Sequence, residues 1–257
     1  MVIYLQHEPM QIVASVCMGS TPVLNYYVTF FLCKKPPFGA VFSCPEKLVF
    51  LQIFRYNWHR IPTTKERLPM TQLLHQIDLL LARQDRVTIA VDGFCTSGKT
   101  TLAARLAEIY DCCVLHMDDF FLRPEQRTAQ RLSQPGGNVD YERFLQEVLA
   151  PLAEGRPFSY RPYDCSVCAL GDSVSVEPKK LTVIEGTYSH HPYFKDYCDV
   201  RIFLSVSPET QRQRILERPA FLQKRFFEEW IPMENRYFEH FSIPAKADMV
   251  LDLSISV

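Results

Sequence analysis

From residue 70 onward the apolar positions alternate between two periods. Leu73, Leu74, Ile77, Leu80 and Leu81 recur at three- and four-residue spacings, which predicts an amphipathic helix opening at Met70. Val87-Thr88-Ile89-Ala90-Val91 reads as a buried strand, and Lys99 to Tyr110, rich in Ala and Leu after a glycine turn, reads as a helix. Cys113-Val114-Leu115 predicts a short strand. In Tyr141 to Glu154 the helical spacing returns through Phe144, Leu145, Val148, Leu149 and Leu152, with Asp140 placed to cap the start. Phe158 to Tyr163 and Ser173 to Val176 are strand-like pieces about a Gly171-Asp172 turn, which predicts a small β-hairpin arm. Strands are then expected at Leu181 to Ile184, Val200 to Val206 and Met249 to Leu253, with helices at Pro208 to Glu217 and Leu222 to Phe241. Strands alternating with helices imply an α/β domain, a parallel sheet with helices on both faces.

Residues 1–69 differ in kind. They hold no Asp, three Glu and seven Lys or Arg, a net charge of +4, and the remainder of the chain carries −5. The apolar run Val23 to Cys33 stops at Lys34-Lys35-Pro36-Pro37 and is shorter than the roughly 20 residues a bilayer span needs. A second apolar patch, Leu48 to Phe54, is shorter still, and neither helical nor strand periodicity runs through the stretch. Three readings fit it: an irregular extension packed on the domain, an upstream stretch translated from a misassigned start, or a membrane-associating segment. The domain proper is expected over residues 70–257, with residues 1–69 as an N-terminal extension.

Composition narrows the function classes. With 47% hydrophobic residues in 257 the chain has material for a full core, and a net charge of −1 argues against blanket attraction to nucleic acid or anionic membrane. The expected partner is a small molecule rather than nucleic acid or a membrane, with self-association left open. Nine cysteines in a chain lacking the basic start of a secretory signal fit a reducing compartment, so the expectation is a cytoplasmic protein.

The strongest chemical signal is Gly93-Phe94-Cys95-Thr96-Ser97-Gly98-Lys99-Thr100. It fits the Gly-x4-Gly-Lys-Ser/Thr loop, in which glycines let backbone N–H groups converge on phosphates, the Lys reaches the terminal phosphate and the Thr hydroxyl ligates magnesium. The following helix N-terminus, Thr101 included, adds its positive dipole. ATP and Mg2+ are therefore the expected cofactors. The Asn-Lys-x-Asp motif of guanine-specific GTPases is absent, since the four Asn precede Tyr26, Trp58, Val139 and Arg236. The Leu-Ser-Gly-Gly-Gln signature of transport ATPases is absent too; Gln134-Pro135-Gly136-Gly137 does not supply it.

What remains is a kinase, and His116-Met117-Asp118-Asp119-Phe120-Phe121 supplies what one needs. A carboxylate just past the strand beside the loop-bearing strand lies at the carboxyl edge of the sheet, where such folds bind ligands. There Asp118 can accept an alcohol's proton and aim its oxygen at the γ-phosphorus; the competing reading is that the Asp pair caps a helix. Glu185, ending Leu-Thr-Val-Ile-Glu-Gly, should reach the same edge and hold magnesium with Thr100. His116 reads as a strand-end packing residue, and Cys112-Cys113 as core. Cys165-Ser166-Val167-Cys168 reads as plain hairpin, with metal and redox roles as alternatives, and the stripe Phe227, Trp230, Tyr237 and Phe241 as core.

In order, the phosphate loop, His-x-Asp-x-Phe-Phe, Asn138-Val139-Asp140, Arg161-Pro162-Tyr163-Asp164, Val183-Ile184-Glu185-Gly186, an Arg-bearing helix and Ile243-Pro244-Ala245-Lys246-Ala247-Asp248 resemble the uridine kinase and phosphoribulokinase group over residues 84–253. The resemblance implies a P-loop kinase fold with a short helical lid. It implies Asp118 as the base toward a ribose 5′-hydroxyl, Asp140 as the holder of the ribose hydroxyls, and Tyr163 as part of the nucleobase pocket, with Phe121 where those enzymes often have Tyr. It makes Arg214, Arg218 and Arg225 candidates for lid arginines, with a solvated basic face as the alternative. Where uridine kinases carry a Phe and a His that meets the pyrimidine, this chain has Cys165 and Cys168, so base recognition is expected to be altered. The expected activity is transfer of the γ-phosphate of ATP to a hydroxyl of a uridine- or cytidine-like nucleoside. A kinase for another alcohol such as pantothenate, or a nucleotide-binding regulatory protein without turnover, are the alternatives.

Overall fold

In a computed structural model the chain divides into two units, Met1–Ile61 and Pro62–Val257. The structure describes residues 2–7, 10–18, 26–33 and 64–254. In the first unit β1 (Val2–His7), β2 (Met10–Met18) and β3 (Tyr26–Cys33) form an antiparallel sheet in that order, with Val2 opposite Ser15 and Gln11 opposite Cys33. Missing alternation in the sequence argued against strands here, but runs such as Tyr26-Tyr27-Val28-Thr29-Phe30-Phe31 are β-branched and aromatic, which extended backbone favours whatever their period. The Lys-Pro stretch at 34–37, Pro45 and the apolar patch 48–54 lie outside the described residues.

The second unit opens with α1 (Thr64–Leu81), six residues earlier than the side-chain pattern places it. The apolar spacing that marks the helix begins only at Leu73, and Pro69, which lacks the N–H of a helix interior, lies inside the element. Next come β4 (Val87–Gly93), α2 (Lys99–Ile109) and β5 (Cys112–His116). A long connection carries a 3-10 turn, Met117–Phe120, and the short α3 (Ala129–Ser133). Then α4 (Tyr141–Phe144), a π-helical stretch Leu145–Leu149 and α5 (Ala150–Glu154) form one continuous run, and Asp140 caps it by accepting from Arg143 N at 3.1 Å, as the sequence suggests.

The hairpin arm is present with a different turn. Strand β6 (Phe158–Tyr160) and β7 (Tyr163–Asp164) descend, β8 (Ala169–Leu170) and β9 (Val174–Val176) return, and Asp164 pairs with Ala169. The reversal therefore falls at residues 165–168 and not at Gly171-Asp172. Asp164 Oδ1 accepts from both the backbone N–H (2.7 Å) and the hydroxyl (2.6 Å) of Ser166, and Cys168 takes a left-handed φ of 54°; a side-chain-capped turn did what the glycine signal was expected to do.

Strands β10 (Leu181–Glu185), β11 (Val200–Ser205) and β12 (Met249–Asp252) complete a five-stranded, wholly parallel sheet of order β12-β11-β4-β10-β5. Strand β10, not β5, is thus the neighbour of the loop-bearing strand, and β5 is an edge, which leaves Cys112 and Cys113 only half-buried instead of core. Helix α6 (Pro208–Leu216) precedes a second continuous helical run: α7 (Ala220–Arg225), a π-helical stretch Phe226–Trp230 and α8 (Ile231–Phe241); the short α9 (Ile243–Lys246) follows. Of the aromatic stripe on that run, Tyr237 is fully buried and the half-buried Phe241 packs against the same core cluster, while Phe227 and Trp230 are half-buried apart from it.

Successive side chains of the central strands serve opposite faces. Val183, Ile202 and Leu204 pack with Leu73, Ile77, Leu102 and Leu106 of α1 and α2, whereas Ile184 and Phe203 pack with Phe144, Val148, Tyr237 and Phe238 of the other helical layer. The sheet is covered on both faces, as the alternation of elements implies.

Among the residues whose side chains are described, the two buried clusters begin at Leu73 and draw on every strand of the parallel sheet. Chains beginning at Pro62 or at Met70 are therefore both expected to melt cooperatively, read by circular dichroism. Aggregation or a non-cooperative melt of the longer of the two would show that the first unit is required for folding.

Candidate active site

The phosphate loop emerges from the carboxyl end of the central strand. Gly93 adopts φ 143°, and a Cβ there would fall 2.2 Å from Leu204 O, so no other residue fits between β4 and β11. Gly98 caps α2 at φ 102°, and no side chain accepts from the first helical amides. The N–H groups of Lys99, Thr100 and Thr101 are thus left for a ligand, with the helix dipole behind them. The hydroxyls of Thr96 and Ser97 also have no hydrogen-bond partner, and Thr96 sits at φ 59°. Lys99 Nζ meanwhile donates to Gly93 O (2.8 Å) and Phe94 O (2.9 Å), carbonyls it can exchange for phosphate oxygens.

Sheet register sets the next group. Glu185 ends β10 opposite Val91 of β4 and His116 of β5, so all three strand ends share one edge. Glu185 Oε1 accepts from Thr100 Oγ1 at 3.0 Å and lies 2.6 Å from His116 Nδ1. Bonding to Glu185 raises the His116 pKa above its ordinary value, against the opposing effect of burial. His116 is therefore more than a packing residue; its place directly across from an acid in a parallel ladder becomes visible only when β5 and β10 are known to pair. Thr100 and Glu185 offer hard oxygen donors side by side, a set that fits magnesium. Among the described residues no group of three or more His, Cys, Asp or Glu forms a metal site, so Cys165 and Cys168 have no metal partners there.

The two neighbouring acids of the 3-10 turn part company. Asp119 Oδ2 accepts from Tyr160 OH at 2.8 Å and its carbonyl from Arg143 at 2.7 Å, which ties the turn to the hairpin arm and α4. The Asp118 carboxylate has no partner among the described residues. Asp118 is exposed, yet the surrounding protein mass raises its pKa, with Lys99 opposing and Glu185 reinforcing the rise.

Beside it, Phe121 bridges to Val139, and Asp140 N donates to Phe120 O at 2.7 Å, so the chain runs Asp140 alongside the Asp118 turn. Asp140 is buried and accepts from Gln126 Nε2 at 2.8 Å besides capping its helix. It lines a cleft of about 310 Å³ with Leu122, Gln126, Arg131 and Glu142. Tyr163 begins the strand that packs on the Asp118 turn. Burial raises the Cys165 pKa first and Asp118 second, while Arg225 and Arg127 lower it, which puts the hairpin tip, Asp118 and two arginines in mutual range. Arg127 was not singled out from the sequence.

The three expected lid arginines separate. Arg225 pairs with Glu229 (3.5 Å) and lies over the Trp230 ring (4.9 Å) within reach of the hairpin tip. Arg214 instead donates to Thr96 O and Leu253 O, both at 2.9 Å, so it braces the phosphate loop. Arg218 is exposed beyond the end of α6, as in the solvated-face reading.

Three residues behind the loop escaped the sequence reading. Asp92, Thr187 and Glu234 are buried and bond to the loop or its flanks. The signal for two of them was available: Asp92 is an acid inside an apolar strand, and Glu234 lies three and four residues before Tyr237 and Phe238 on an apolar helix face.

No protein-family model matches the chain. Over 143 residues it is 29% identical to human nicotinamide riboside kinase 2, covering 50% of this chain and 56% of that protein, so the likeness spans about half of each. A Bacillus stearothermophilus protein described as a possible uridine kinase superposes with a TM-score of 0.52 at 20% identity, over 70% of this chain and all of that one. A Silicibacter sp. TM1040 protein named for a fructose transport system kinase gives 0.50 at 23%, over 69% and 97%. The fold is that of P-loop kinases, and the resemblance read from the motifs is matched by both the sequence relative and the structures.

The His116–Glu185 pair gives a pH signature. Because the folded pKa of His116 is raised above 6.5, the pair's contribution to stability is complete below about pH 6.5 and is lost as pH rises through the higher folded value. An NMR titration is expected to find His116 above 6.5 in the wild-type chain and lowered in Glu185→Gln. Equal values in the two proteins would remove the ion pair.

Proposed function

We propose that this chain is an ATP-dependent kinase that transfers the γ-phosphate to a hydroxyl of a small molecule, most simply a nucleoside of the uridine or cytidine kind. The observation that carries the reading is the pairing of an open phosphate loop with an unpartnered carboxylate, Asp118, on the same sheet edge, while its neighbour Asp119 is engaged in structure. A protein that only bound nucleotide would have no need of that acid.

In the transfer, the acceptor hydroxyl gives its proton to the Asp118 carboxylate as its oxygen forms a bond to the γ-phosphorus. The bond from that phosphorus to the bridging oxygen breaks and ADP leaves with the electron pair. Raised by its surroundings, the Asp118 pKa makes it a better proton acceptor than an ordinary aspartate. Lys99 leaves its own loop carbonyls to hold the transferring charge, and Arg225 approaches from the helical run. Thr100 and Glu185 would hold magnesium, which supplies charge neutralisation between the phosphates.

The acceptor sits in the cleft by Asp140, where carboxylates of Asp140 and Glu142 suit the hydroxyls of a ribosyl group; the name of the human relative also points to a riboside. Cys165 and Cys168 at the hairpin tip, in the places of the Phe and His of uridine kinases, favour a second reading in which the acceptor is another small alcohol, pantothenate or a sugar-like compound. Cys95, Cys112, Cys113, Cys165, Cys168 and Cys198 are free thiols, in keeping with a reducing compartment.

A coupled assay of ADP release across nucleosides, ribosides and vitamins tests the acceptor. In it Lys99→Ala is expected to abolish turnover. Asp118→Asn should keep ATP binding and lose about 10²–10⁴-fold in kcat, whereas Asp119→Asn should chiefly lower stability. Undiminished turnover by Lys99→Ala would sink the kinase assignment, and a mild Asp118→Asn beside a crippling Asp119→Asn would reverse the roles of the two acids.

A further inference from the structure

Two helices hold the phosphate loop from behind, by opposite ends of its peptide groups. From α6, Gln211 Nε2 donates to Cys95 O at 3.2 Å and Arg214 donates to Thr96 O at 2.9 Å. From α8, Glu234 Oε2 accepts from Cys95 N at 2.9 Å. Glu234 Oε1 lies 3.3 Å from Thr187 Oγ1, and that hydroxyl is also 3.2 Å from Gly93 O. Thr187 thus has one proton and two acceptors within reach.

Gly93 O is shared with a third group, Lys99 Nζ, at 2.8 Å. For Lys99 to grip a phosphate it must let go of Gly93 O and Phe94 O. A buried carbonyl stripped of its donor costs free energy comparable to a lost hydrogen bond, and nearby peptide groups would turn to recover one. Thr187 is placed to prevent this, because its hydroxyl can turn wholly to Gly93 O while Glu234 keeps the Cys95 amide.

We propose that Glu234 and Thr187 are positioning residues for the nucleotide: together they keep the phosphate loop in one shape while Lys99 moves from the loop carbonyls to the phosphate. The inference rests on the nucleotide site described above and deepens it. Both side chains are buried, so they act through the loop and not on the ligand. Glu234 also belongs to the helical run that carries Arg225, so the same carboxylate fixes that run to the loop.

The test measures ATP binding by calorimetry, and KM for ATP and kcat with the best acceptor, for three variants. Glu234→Ala is expected to weaken ATP binding and raise its KM by about 10- to 100-fold, the worth of a hydrogen bond to a charged group. The change in kcat should be smaller. Glu234→Gln retains an acceptor oxygen for the Cys95 amide and is expected to restore binding to within about threefold. Thr187→Val keeps the side-chain shape, removes the hydroxyl, and should weaken binding by up to about tenfold; it and the Gln variant keep the test decisive if the Ala variant does not fold. A glutamine variant as impaired as alanine, or a Glu234→Ala protein that melts lower but binds ATP as the wild type does, would overturn the proposal. Unchanged binding by Thr187→Val would overturn the part assigned to Thr187. A wild-type chain that binds no ATP would overturn the proposed function itself, whereas binding that none of the variants alters would overturn this inference alone.

Discussion

At the end of the central strand a carboxylate with no access to solvent is met by four donors. Asp92 accepts from Gly93 N (2.7 Å), Tyr188 N (3.2 Å), His190 N (3.0 Å) and Tyr237 OH (2.9 Å). A buried carboxylate is tolerable only when its lone pairs are satisfied in this way. The requirement ties together three distant parts of the chain: the start of the phosphate loop, the turn after β10, and α8. Tyr188 holds a left-handed φ of 81° in that turn, and Asp92 takes its amide. Burial, with Asp92 beside it, also keeps the Tyr237 hydroxyl protonated as a donor.

Around this anchor the acids divide by how fully they are occupied. Asp92 is saturated, Glu234 holds a loop amide, Asp119 fastens the hairpin arm, and Asp140 caps a helix while facing a cleft. Burial raises the Glu234 pKa, with Lys99 the main opposing influence, so loop and lysine are electrostatically linked from behind. Glu185 is shared between a hydroxyl and an imidazole, and Asp118 alone of the acids at this edge has its oxygens unengaged. Structural bonds thus occupy the neighbouring carboxylates and leave Asp118 without one, which is why the proposed chemistry is assigned to it.

The acceptor side is built more loosely. Arg143 donates to the carbonyls of Arg161 (2.8 Å) and Asp119 (2.7 Å), fixing the base of the hairpin arm to the turn that carries Asp118. Beyond that base the arm narrows to two short strand pairs and a four-residue turn that exposes Cys165 and Cys168. Under the proposed activity, acceptor choice would rest on this least constrained element, as loops of a rigid scaffold commonly carry specificity.

Periodicity and local chemistry were enough to place most elements. The helix at Tyr141 to Glu154 with its Asp140 cap, the strand at Val87 to Val91 and the glycine loop before α2 follow from spacing, capping and backbone freedom, which act within a few residues of sequence. The first turns of α1 carry none of the apolar spacing that begins at Leu73, and the hairpin reverses where Asp164 caps a turn that glycine was expected to make. Strand order, the meeting of His116 with Glu185, the separate fates of Asp118 and Asp119, and the grip of Glu234 on Cys95 involve partners between 24 and 139 residues apart. The sequence determined the order of strands and helices, the glycine loop before α2 and the acids that follow β5 and end β10. Only the tertiary structure decided which of several equivalent acids stayed free, because that depends on which donors the packing of distant elements brings within 3 Å.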